Sequence, residues 1–303
     1  MNALLLLGLG ALHLSASDDT ATRTWPNTLA EVLAATEDRD WRTPAADQTL
    51  VMTMRDGARI VIELAPSFAP RHVDNIRKLA QAHFFDGLPI VRSQDNYVVQ
   101  WGDPDGQAPR GEAAGPLAAE FSRSTRHAPV FTTLIDGDVY APEVGFVEGF
   151  PAARDPATER LWLTHCYGML GVGRDESIDS GDGSELYVVN GHSPRHLDRN
   201  VTLVGRVLQG MPALASLPRG SGALGFYEEG QNRPQIASIR LASELPEDQR
   251  PRLQLLRTDG EAFAAVIKAR RTRRESWFHT GTGAVELCNV PLPIREMPAA
   301  DDD

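Results

Sequence analysis

The chain has 303 residues, a formal net charge of −11 and an apolar fraction of 42%. That length and composition allow one large domain with an appendage, or two domains, around a real core. The acidic balance excludes nucleic acid as the main partner. Only Lys78 and Lys268 are lysines, so the arginine content reads as coding bias rather than a binding signal.

Residues 4–14 are apolar except for His13, a run shorter than the ~20 residues that span a bilayer. Ser15, Ala16 and Ser17 follow, then Asp18 and Asp19. Residues 1–17 therefore resemble a secretory signal peptide, although no Lys or Arg precedes the apolar run; a plain apolar helix is the other reading. A periplasmic or secreted location, with no integral membrane span, is expected. Cys166 and Cys288 fit one disulfide in such a location, or two separate buried thiols.

Residues 18–47 form a polar lead-in with a short helical pattern near residues 29–33. Alternation then begins near Thr49, and Arg55-Asp56-Gly57 between two alternating runs signals a hairpin. Pro70 suits the first turn of a helix in which Val73, Ile76, Leu79 and Ala80 recur at helical spacing. Strands are expected at 88–91, 97–101, 169–172, 186–189, 201–208 and 236–241, with a short helix at 212–217. Many short strands with few helices make the chain mainly β, an antiparallel barrel or sandwich. Residues 120–160 interrupt the pattern and read as a flap or insertion. Residues 245–303 read as an α+β extension with a strand at 253–258, a helix at 261–277 and a solvated tail, Asp301-Asp302-Asp303.

The stretch 84–103, FFDGLPIVRSQDNYVVQWGD, concentrates the chemistry. Arg92 ends an apolar run, and Tyr97 opens another that closes on Gln100. No Ser/His/Asp set, carboxylate pair or metal-ligand cluster accompanies them. A lone cation among apolar and amide groups suits a reaction that transfers no proton and breaks no bond. His165-Cys166 shows no orienting partner in sequence. Asp175, Asp179, Asp182 and Glu185 lack calcium-loop spacing and read as a solvated loop. Five basic residues within 268–274 read as a solvated helix face.

Three blocks carry a family resemblance: ELAPSFAPRHVDNIRKLAQAHFFDGL, IVRSQDNYVVQWGDPDG, and YGMLGVGRD…GSELYVV…RHLDRNVTLVGRVLQGM. In order and spacing they resemble a cyclophilin-type peptidyl-prolyl cis-trans isomerase over about 49–243, in a bacterial, exported branch. The resemblance implies an eight-stranded antiparallel barrel capped by two helices within 48–244, with 120–160 inserted. It implies isomerisation of proline-containing polypeptides by a monomer that needs no metal or organic cofactor. Arg92 matches the catalytic arginine and Gln100 the groove glutamine. Tyr97, Val98, Tyr187 and Leu197 match proline-pocket positions, Gly173 a small groove residue, and Glu185 the place of a second glutamine. The chain departs from the pattern at Val91, where histidine is usual, at Trp101 for glycine, at His196 for the tryptophan of cyclosporin-sensitive members, and at Val201 for a pocket histidine. Weak cyclosporin binding is the corresponding expectation.

Overall fold

A computed structural model describes residues 23–103 and 106–297. The stretch read as a signal peptide and the acidic tail lie outside the described residues. In chain order the helices are α1 (Leu29–Ala34), α2 (Pro70–Gln81), α3 (Met211–Ala215) and α4 (Glu261–Thr272). The strands are β1 (Trp41–Arg42), β2 (Thr49–Met54), β3 (Arg59–Leu64), β4 (Ile90–Ser93), β5 (Val98–Trp101), β6 (Arg123–Ser124), β7 (Thr132–Leu134) and β8 (Glu143–Val147), followed by β9 (Phe150–Asp155), β10 (Arg160–Leu163), β11 (Met169–Val172), β12 (Leu186–Val189), β13 (Leu203–Gln209), β14 (Ile236–Leu241), β15 (Leu253–Leu256) and β16 (Ile294–Glu296).

Eight antiparallel strands run in the order β14-β2-β3-β13-β11-β12-β5-β4. The two ends nearly meet. A bridge joins Pro89 to Gln235, and Ile236 N donates to Leu88 O at 2.9 Å, which all but closes a barrel. The β2–β3 hairpin forms where the Asp-Gly pair predicts it. Gly57 takes φ +90°, and Asp56 Oδ1 accepts from Ala58 N at 2.9 Å. Inward residues such as Met52, Ile62, Val99, Trp101, Leu170 and Val188 fill the interior. α2 caps it with Val73, Ile76 and Leu79, and α3 with Leu214. Pro70 opens α2 as expected. The amides of Arg71 and His72, which the helix leaves without partners, donate to the Glu120 carboxylate at 3.2 and 3.0 Å.

A second apolar core lies outside the barrel. Residues 120–160 do not form an open flap: β6 to β9 and the first residue of β10 fall inside them, in a five-stranded antiparallel sheet ordered β6-β10-β9-β8-β7. The lead-in and the C-terminal extension join each other in a sheet ordered β1-β15-β16, with α1 packed on α4. One cluster takes in Val32, Trp41, Phe146, Trp162 and Phe263 together with Val98, Met169, Tyr187 and Val189 from the barrel's outer face. Phe146 and Phe263 meet edge to face at 4.9 Å. Cys166 and Cys288 are disulfide-bonded, with Cα atoms 5.1 Å apart. Among the described residues no helix is long and apolar enough to cross a membrane.

Candidate active site on the outer face of the barrel

Strand alternation sorts the candidate residues. Val99 and Trp101 of β5 point into the barrel, leaving Val98 and Gln100 outside; on β12, Leu186 and Val188 point in and Tyr187 out. Arg92 would share the inward face of Ile90 in a regular strand. A bulge intervenes: Ile90 pairs with Trp101, but Arg92 pairs with Gln100, so two steps on β4 oppose one on β5. The extra residue turns Arg92 outward. Gln100 in turn pairs with Tyr187, and Tyr187 with Gly171. Arg92, Gln100, Tyr187 and Gly171 thus form one row across four strands.

Arg92 is half-buried. Its Nε donates to Leu224 O at 2.7 Å and its Nη2 to Gln94 Oε1. The rings of Tyr97 and Phe226 flank its Cζ, each centroid 5.3 Å away. Burial lowers the guanidinium pKa from its ordinary value, and Tyr97 opposes that shift. Among the described residues no partner engages Nη1. Gln94, Leu224 and Phe226 were not singled out by sequence reasoning. Gly225 permits their loop to come close, since a Cβ there would lie 2.6 Å from Gln94 Cα. An aromatic inside the glycine-rich run SGALGFYEEG was the one available signal.

Gln100 Nε2 donates to Glu185 Oε2 at 2.8 Å. Gly173 lies against this pair; a Cβ there would approach Glu185 Cβ to 2.8 Å and Gln100 Nε2 to 3.4 Å. Tyr187, 7% exposed, lies across Gly171, where a Cβ would come within 2.3 Å of the phenol Cζ. Its hydroxyl meets His165 Nε2 at 2.8 Å, and His165 Nδ1 meets Asp198 Oδ1 at 2.9 Å. Burial pushes the Tyr187 phenol well above its ordinary pKa, reinforced by Tyr97 and Asp198.

Tyr97 and Val98 therefore stand with Arg92, Gln100, Gly173, Glu185 and Tyr187 on one face. His196 and Leu197 sit on the turn Arg195–Leu197, His196 exposed and Leu197 half-buried. Among the described residues no hydrogen bond or ring contact ties the His196 side chain to the row. His165, which lacked a partner in sequence, has two in space. The Asp/Ser/Gly loop is less solvated than expected: Asp182 is 8% exposed and pairs with Arg110 at 2.6 Å. The basic run on α4 is also partly engaged, with Arg271 gripping Asp136 at 2.6 Å.

Residues 49–240 match the family model described as cyclophilin type peptidyl-prolyl cis-trans isomerase/CLD. A putative thylakoid lumen peptidyl-prolyl cis-trans isomerase of Synechocystis sp. is 25% identical over 184 residues, 57% of this chain and 44% of the relative. A probable peptidyl-prolyl cis-trans isomerase of Brucella suis is 24% identical over 58% of this chain and 74% of its own length. Peptidyl-prolyl cis-trans isomerase B of Bacillus subtilis is 41% identical over 114 residues, 37% of this chain and 68% of the relative. The chain thus spans less than half of the Synechocystis protein and about three quarters of the Brucella one. The crystal structure of cyclophilin AquaCyp293 from Hirschia baltica shares the fold, with a TM-score of 0.70 at 24% identity, over 90% of this chain and 98% of that one.

Proposed function

The chain belongs to the cyclophilin-type peptidyl-prolyl cis-trans isomerase family, and on that premise we propose that it isomerises X-Pro bonds in proline-containing polypeptides and so assists their folding. The prolyl amide resists rotation because the nitrogen lone pair is delocalised into the carbonyl. The barrier is about 18–20 kcal/mol, and uncatalysed exchange takes tens to hundreds of seconds. Twisting the bond returns the lone pair to nitrogen. Arg92 donates a hydrogen bond to that nitrogen, favouring the twisted state over either planar one. A guanidinium suits this because its donors are planar, fixed and permanently charged. Nη1, with both of its N–H groups, is left available once Nε and one N–H of Nη2 are engaged.

Tyr97, Val98, Tyr187 and Leu197 hold the pyrrolidine ring while the preceding carbonyl rotates. Gln100 and Glu185 hold the peptide backbone beside it, and Gly173 keeps the groove floor low. His196 borders the groove. The observation that carries this reading is the cross-strand row that sets Arg92 beside Gln100 and Tyr187 on the outer face of the barrel. The test is a protease-coupled isomerisation assay. A preorganised donor of this type is worth about 2.7–4 kcal/mol, so Arg92→Ala is expected to lose on the order of a hundredfold in kcat/KM. An unchanged rate rejects the role. A second reading, a groove that binds proline-containing chains without turnover, draws on the same guanidinium, two of whose nitrogens are already engaged within the protein. It predicts peptide binding and no catalysis in the same assay.

We place the protein outside the cytoplasm. The apolar N-terminal run, a disulfide suited to an oxidising compartment, and a relative named for the thylakoid lumen support that placement. Cell fractionation with and without the first seventeen residues tests it: the full chain should leave the cytoplasm and the truncated one should stay.

A further inference from the structure

A file of buried polar side chains runs from the inserted sheet to the candidate site. Asp138, in the connection between β7 and β8, forms an ion pair with Arg195 Nη2 at 2.8 Å. Arg195 Nε donates to Asp198 Oδ2 at 2.6 Å. The other oxygen of Asp198 accepts from His165 N at 2.9 Å and meets His165 Nδ1 at 2.9 Å. His165 Nε2 meets the Tyr187 hydroxyl at 2.8 Å. The side chains of Asp138, Arg195, Asp198 and His165 are each no more than 6% exposed. We propose that His165 is a positioning residue: braced by Asp198, it fixes the Tyr187 ring as a wall of the proline-binding notch, and the insertion exists in part to hold that brace.

This rests on the isomerase reading above, and the donor logic supports it. An ionised carboxylate only accepts, so His165 Nδ1–H donates to Asp198, and in the neutral ring this tautomer leaves Nε2 to accept from the phenol O–H. Burial raises the phenol pKa, so it keeps the proton it donates. The two rings lie nearly parallel, 8° apart with centroids separated by 6.3 Å. Gly171 clears the space beneath the phenol, so the ring is seated at its face and tethered at its hydroxyl. Swinging the ring away would strand a buried hydroxyl and a buried imidazole nitrogen without partners. A phenylalanine here would have no such tether. The geometry also places His165 two residues after β10, so the last strand of the inserted sheet delivers it to the barrel face.

The experiment measures KM and kcat separately for X-Pro peptides with wild type, Tyr187→Phe, His165→Asn, His165→Gln and the Tyr187→Phe/His165→Asn double variant. Asparagine keeps a donor near Nδ1 for Asp198 but cannot reach the phenol; glutamine reaches the phenol. The value of one hydrogen bond predicts that Tyr187→Phe and His165→Asn each raise KM about threefold to tenfold. The effect should fall on KM rather than kcat, the double variant should be no worse than the poorer single, and glutamine should recover most of the loss. A normal KM in His165→Asn, additive effects, or a parallel fall of kcat in all variants would overturn the proposal. A second readout does not need turnover. The tethered Tyr187 hydroxyl proton should be protected from exchange and visible by NMR in wild type and His165→Gln, and absent in His165→Asn. Wild type without isomerase activity sinks the isomerase reading, while this proton still decides whether the tether exists. If His165→Asn fails to fold, Tyr187→Phe alone decides by its KM.

Discussion

Tyr187 can lie flat only because residue 171 has no side chain. A methyl group at that position would come within 2.3 Å of the ring, closer than carbon atoms approach. Gly171→Ala therefore has to expel the phenol from its seat and break its contact with His165. Overpacking of this kind costs about 1–3 kcal/mol, so urea denaturation should show a loss of that size and peptide KM should rise with it. Wild-type stability and KM in Gly171→Ala would mean the ring is not seated as described. Arg92, Gln100 and Tyr187 are grouped in the sequence by the blocks that resemble the family's, and the folded barrel sets them in one row. The part played by His165 was not legible in the sequence, because its partners lie 22 and 33 positions away and are brought to it only by the folded barrel.

Among elements, α2 shows how the insertion supports the barrel. Its first turn has no acidic residue, and Glu120, 49 positions after Arg71, supplies the missing charge. Burial pushes the Glu120 carboxyl up, but hydrogen bonds from the His72 ring, His72 N and Arg71 N outweigh this and hold it below its ordinary value of 4.5. The sign follows from that depression. The carboxylate's contribution is complete above the ordinary value and disappears as pH falls through the lower folded one. Glu120→Gln should cost about 1.5–3 kcal/mol near neutral pH, the worth of hydrogen bonds to a charged group. The gap from wild type in urea melts should narrow below about pH 4; a gap independent of pH would refute it. The barrel strands were readable as short apolar runs framed by turn residues and by the family-like blocks, although β11 and β12 are buried throughout and show no period of two. β8 and β10 are buried almost as fully but lie in a stretch where no such block frames them. β6 and β7 are too short to show a period.

At the scale of the whole molecule, two apolar cores lie on either side of the barrel wall, and within the outer one the Cys166–Cys288 bond ties the C-terminal extension to the segment leading into β11. Its closed loop spans 122 positions. Removing a disulfide that closes a loop of this size costs about 2–5 kcal/mol, so dithiothreitol, or Cys288→Ser, should lower the melting temperature clearly. An unchanged melting curve would show that packing alone fastens the extension. That the lead-in pairs with the extension was invisible in sequence: β1 has two residues, and its partner β15 stands near the opposite end of the chain. This pairing also sets a timetable for assembly. A ribosome makes Trp41 early and Leu256 late, and they are register partners. The barrel strands between them are complete first and can close while synthesis continues. The outer body has to wait, its greasy early half unsheltered until the other half arrives, so Val32 and Trp41 are the residues a chaperone would have to cover in the meantime.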